Sequence, residues 1–143
     1  MQHQTHIEIP RRKLVVALHD KNLEHLTRRF LENYSSKLNL DYSFVRCPQQ
    51  LVGIVEREET LAVLMDVNLG SPGSDDFSRG QNIYDLISKK PAYGFMAVTG
   101  LEEWNHPRHK IPKEMIKIKP YDTYKVLEAL ANYPHRSLVY RNA

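Results

Sequence analysis

Cysteine is almost absent from this chain of 143 residues: Cys47 stands alone. An internal disulfide, a thiolate zinc site and a redox CxxC pair are therefore excluded, and a reducing compartment is expected. Glycine is sparse too, with 6 residues, and together with 8 prolines it is too little for a collagen-like or low-complexity protein. The glycines form neither a GxxxxGK[ST] loop, Gly70 and Gly73 included, nor a GxGxxG turn after a strand, so the signatures of nucleotide binding are missing. Long hydrophobic runs are lacking. Leu61 to Met65 is far too short to cross a bilayer, and the N-terminal MQHQTHIEIPRRK has no apolar segment of signal-peptide length. A soluble, cytoplasmic protein without membrane association is expected.

What remains is ordinary globular material, 41% hydrophobic and 26% charged, and its length suits one domain. The net charge of +3 hides an asymmetry, since residues 104–143 carry 8 Lys/Arg against 3 Asp/Glu while residues 1–103 carry 12 against 14. This basic quarter reads as a solvated face, and no nucleic-acid partner is expected from it.

Apolar periodicity alternates between two kinds of segment. Lys13–Leu18, Tyr42–Cys47, Leu61–Val67, Gly94–Thr99 and Met115–Lys119 are short runs rich in β-branched residues, which predicts strands buried on both faces. Between them, apolar residues recur at helical spacing: Leu23, Leu26, Phe30, Leu31 and Tyr34; then Leu51, Val52 and Val55 after Pro48; then Ile83, Leu86 and Ile87. Tyr124, Val126, Leu127, Leu130 and Ala131 make a last helix. Gly70 to Gly80 reads as a loop, and Pro107 and Pro112 predict a short helix plus irregular chain in the fourth crossover. Five strands alternating with helices imply right-handed crossovers and a doubly wound α/β sheet. In such sheets ligands bind beyond the carboxyl ends of the strands.

Those ends hold His19 and Asp20, Asp66, Thr99 and Lys119. The set is chemically coherent. Asp66 is a candidate nucleophile toward a phosphoryl group, forming an acyl phosphate. A second carboxylate, Asp20, makes sense beside it if a hard cation such as Mg²⁺ lies between them. Thr99 and Lys119 suit the phosphoryl oxygens, one by a hydrogen bond and one as a point charge. Asp20 is equally placed to cap the helix before Leu23, and the two roles are compatible.

The motifs DVNLG around Asp66, VTG ending in Thr99 and IKPY around Lys119, with separations of 46, 33 and 20 residues from Asp20 onward, resemble the receiver domain of two-component response regulators (CheY-like) over residues 12–133. The resemblance implies a flavodoxin-like fold with strand order 2-1-3-4-5, residues 1–11 as an N-terminal extension and 134–143 as a tail. It implies that Asp66 accepts a phosphoryl group from a histidine kinase or phosphotransfer protein. Asp20 and Asp66 then hold Mg²⁺ with the backbone carbonyl of Asn68, and a cis bond before Pro120 turns Lys119 into the site. With no output domain after Tyr133, a downstream protein partner is expected.

Some positions depart from that pattern. His19 stands where receivers carry the first of two adjacent acidic residues, which leaves less negative charge for a cation. Ile116 stands where many carry a switching aromatic residue. The loop GSPGSDDFSRG is long, with Asp75 and Asp76 expected to stay solvated. His19, Ile116 and the prolines that replace much of the fourth helix support an alternative, a phosphorylation-independent pseudo-receiver acting as a protein-binding module. A phosphatase-type hydrolase is disfavoured because Asn68 occupies the position of its second carboxylate. His106 and His109 have near-ligand spacing but no third ligand, so zinc is not expected. Trp104 and Tyr121 read as surface or partly buried aromatics, Tyr121 at the border of the expected partner face.

Overall fold

The computed structural model describes residues 12–58, 61–70, 77–100 and 110–132, and the backbone of 135–136. The expected extension 1–11, Asp75, Asp76, Trp104, His106 and His109 lie outside the described residues. Strand β1 (Arg12–Ala17) leads into helix α1 (Lys21–Leu38), followed by β2 (Leu40–Phe44), α2 (Pro48–Arg57), β3 (Leu61–Asp66), α3 (Ser78–Ile87), β4 (Ala92–Thr99), β5 (Ile116–Ile118) and α4 (Thr123–Asn132). The five strands are parallel in the order β2-β1-β3-β4-β5. A two-residue strand, β6 (His135–Arg136), pairs antiparallel with the start of β4, so the expected tail begins by adding to the sheet. Among the described residues no helix is long and apolar enough to cross a membrane.

The apolar runs are continuous because the sheet is covered on both faces. Alternate side chains divide between two cores. Val15, Val63, Met65 and Phe95 pack with Leu51 and Val55 of α2 and Ile83 and Ile87 of α3. Leu14, Val16, Leu64, Met96 and Val98 pack with Leu31 of α1 and Val126, Leu127 and Leu130 of α4. Full burial of each such side chain contributes about 1.5–3 kcal/mol relative to exposure. β3 lies at the centre, and its six residues are all buried.

β1, β3 and β4 differ from the expected runs by one or two residues at an end, and three further differences have a physical reason. β2 runs over Leu40–Phe44 rather than Tyr42–Cys47; it is an edge strand, and Val45 owes its burial to the turn into α2, where it joins the core under that helix. Met115 belongs to a 3₁₀ turn, Lys113–Met115, closed by its N–H to the Pro112 carbonyl, so β5 is only three residues long. Gly80 lies inside α3 and not at the end of a loop. A Cβ there would sit 2.7 Å from Val67 Cγ2 and 2.9 Å from the Val67 carbonyl oxygen, so the glycine is a close-approach residue that lets α3 press on the chain just after β3.

The helix ends are chemically marked. Asp20 caps α1, its Oδ1 accepting from the N–H groups of Asn22 and Leu23 at 2.9 and 3.1 Å. Asn39, at φ 58°, closes that helix in the left-handed region that asparagine tolerates. Pro48 opens α2 at a position where its missing N–H costs nothing. From the Gly80 contact, Gly80→Ala is expected to destabilise the fold by about 1–3 kcal/mol through overpacking, read as a lower urea midpoint.

Candidate functional site at the carboxyl ends of the strands

Asp66 ends the central strand and is 1% exposed. A carboxylate in that position is costly unless partnered. Its Oδ2 accepts a hydrogen bond of 2.9 Å from the backbone N–H of His19, which follows β1. The ammonium of Lys119, after β5, lies 2.6 Å from Oδ1. The contact is a short ion pair, and this ammonium and the His19 N–H hold the two carboxylate oxygens. Backbone pairing fixes these positions: Lys119 N–H donates to Thr99 O at 2.8 Å, Val67 N–H to Val98 O at 2.9 Å and Leu69 N–H to Asp66 O at 3.1 Å. The Lys119–Pro120 peptide bond is cis.

The other candidates gather around this carboxylate to different degrees. Thr99 is buried at the adjacent strand end. The His19 imidazole is half-buried, with Nε2 3.2 Å from Asn68 Oδ1 and 3.7 Å from Asp66 Oδ1. With a carbonyl oxygen as acceptor, Nε2 carries the proton. Asp20 is exposed, and its Oδ1 faces the first amides of α1. Among the described residues no three His, Cys, Asp or Glu side chains form a metal cluster. Asp20 and Asp66 are the carboxylates at this edge, and hard oxygen donors of that kind suit Mg²⁺, which takes one or two carboxylates and keeps several waters.

The sequence reading underrated Tyr121. Its hydroxyl is buried without a hydrogen-bond partner. Burial first, then the charges of Asp66 and Asp20, push the phenol far above its ordinary value, so it stays protonated. Its ring lines a cavity of about 540 Å³ with Asp20, Asn22, Leu23, Leu26, Gly100, Lys119 and Pro120. The available signal was its place two residues after Lys119, at the strand end where the site lies.

A doubly wound parallel sheet in the order β2-β1-β3-β4-β5, with a buried acid and an ammonium paired at its carboxyl edge, defines a flavodoxin-like scaffold. More narrowly, the fold is that of receiver domains. It is similar to the receiver domain of a sensor histidine kinase from Pseudomonas aeruginosa, with 17% identity and a TM-score of 0.57 over 84% of this chain and 97% of that one. That domain holds a magnesium ion coordinated in its active site cleft. No family model matches the sequence, and no curated protein matches it.

Two outcomes follow from the geometry. Lys119→Met leaves Asp66 buried without its cation and should cost about 1–3 kcal/mol in urea unfolding, a loss that the double variant with Asp66→Asn recovers in large part. Asp20→Ala should cost about 1 kcal/mol by removing the cap, whereas Asp20→Ser should stay near wild type in the same assay.

Proposed function

We propose that the chain is a response-regulator receiver that accepts a phosphoryl group on Asp66 from a histidine kinase or phosphotransfer protein and signals through a protein partner. The observation that carries this reading is the buried Asp66 carboxylate, with one oxygen fixed by the His19 N–H and the other 2.6 Å from the Lys119 ammonium. The oxygen that faces Lys119 is the nucleophile. It attacks phosphorus in line with the donor nitrogen of a phosphohistidine; the O–P bond forms, the P–N bond breaks, and the leaving imidazole nitrogen keeps the electron pair and takes a proton from solvent. Lys119, 2.6 Å from that oxygen, follows the charge onto the phosphoryl oxygens, and the Thr99 hydroxyl donates a hydrogen bond to one of them. Asp20, Asp66 and the Asn68 carbonyl would hold Mg²⁺, whose chemistry here is to neutralise phosphoryl charge. Catalysis is then confined to the domain's own phosphorylation and dephosphorylation, and the setting is cytoplasmic.

The modified carboxylate acts as a switch because it adds charge and acceptor oxygens at a packed site, which biases a pre-existing equilibrium of the neighbouring surface. One observation favours the second reading, a phosphorylation-independent binding module. An imidazole, and not a carboxylate, stands beside Asp66 and Asn68, and this lowers the charge available to a cation.

Intact-protein mass separates the two. After incubation with Mg²⁺ and acetyl phosphate, the wild type should gain one phosphoryl group and Asp66→Asn none. No gain in the wild type, together with no Mg²⁺-dependent binding of beryllofluoride, supports the binding module instead.

A further inference from the structure

The Tyr121 hydroxyl poses a problem that packing alone does not solve. Its ring is half-buried against the core formed by α1 and α4, a task phenylalanine performs equally well. The hydroxyl is buried and unpartnered, and a lone buried donor costs about 1–3 kcal/mol. The unmodified protein therefore gains nothing from this oxygen. Its surroundings are informative: Tyr121 lines a cleft of about 540 Å³ with Lys119, Pro120, Asp20 and Gly100, and the Lys119 ammonium lies 2.6 Å from Asp66 Oδ1. A tyrosine phenol is protonated at neutral pH and so is available as a donor.

We propose that Tyr121 is a phosphoryl-positioning residue whose hydroxyl donates a hydrogen bond to a phosphoryl oxygen on Asp66. This rests on the phosphoacceptor reading above. A phosphoryl group on Asp66 extends acceptor oxygens beyond the carboxylate toward the cavity that Lys119 and Tyr121 share. The phenol meets them as a neutral donor, beside the Lys119 charge. The orphan hydroxyl of the resting state is thereby satisfied in the modified state, which shifts the equilibrium between the two by the same interaction.

The test uses the full chain with Mg²⁺ and beryllofluoride, followed by ¹⁹F NMR, for wild type and Tyr121→Phe. The variant should bind beryllofluoride about tenfold more weakly, the scale of a hydrogen bond to a charged acceptor. Its unliganded Tm should be no lower than that of the wild type, because only an unpartnered hydroxyl is removed. A second readout is taken on the wild type: the ¹³Cζ resonance of Tyr121 in labelled protein, assigned by its absence from the Tyr121→Phe spectrum, should move on beryllofluoride binding. Equal affinities with an unmoved resonance overturn the proposal and leave the phosphoacceptor reading standing. A fall in unliganded Tm with unchanged affinity assigns the hydroxyl a structural role and overturns it too. Wild type that binds no beryllofluoride overturns both.

Discussion

A carboxylate removed from water at the end of the central strand is the constraint around which the rest of this structure is arranged. Asp66 is tolerable there because two chain segments far from it in sequence converge on its carboxylate: the His19 amide after β1 and the Lys119 ammonium after β5. Neither partner is local in sequence, so the charge is stabilised only when the whole sheet is assembled. The strands on either side bring their ends level, and the parallel register that aligns Asp66 with Val98 and Thr99 with Ile118 does this through backbone bonds alone.

The two cores supply the stiffness that such a site needs. With apolar residues on both faces of β1, β3 and β4, little remains free to rearrange beneath the carboxylate, and polar side chains enter the buried sheet mainly where the strands stop. The edge strands behave differently. β2 alternates buried and exposed residues and β5 is short and partly exposed, so adjustment is easier at the margins than at the centre.

The fold was largely readable from the sequence because runs such as LAVLMD and GFMAVT are buried on both faces, a pattern that amphipathic helices do not share. The strand-end rule then led to Asp66, Thr99 and Lys119 without knowledge of any contact. Periodicity misplaced what depends on three-dimensional proximity. Val45 looked like strand because it is apolar, yet it is buried by the turn into α2. Gly80 looked like loop because glycine usually marks one, yet it is required by the approach of α3 to Val67. The hydroxyl of Tyr121 was unreadable for the same reason: nothing in IKPY says whether a phenol ends in solvent or beside two carboxylates.

The residue that follows Asp66 is held from both sides. Val67 gives its N–H to β4 at Val98 and receives the N–H of α3 at Gly80 on its carbonyl, with the glycine packed against its side chain. The chain at 66–67 therefore has no slack. A group added to the carboxylate cannot be accommodated by letting β3 recoil, because any recoil would have to drag a neighbouring strand and a whole helix with it. The displacement is directed outward, into the segments at 19–20 and 119–121, whose side chains are only partly buried or exposed. A glycine on a helix some distance along the chain thus sets the direction in which the site can give.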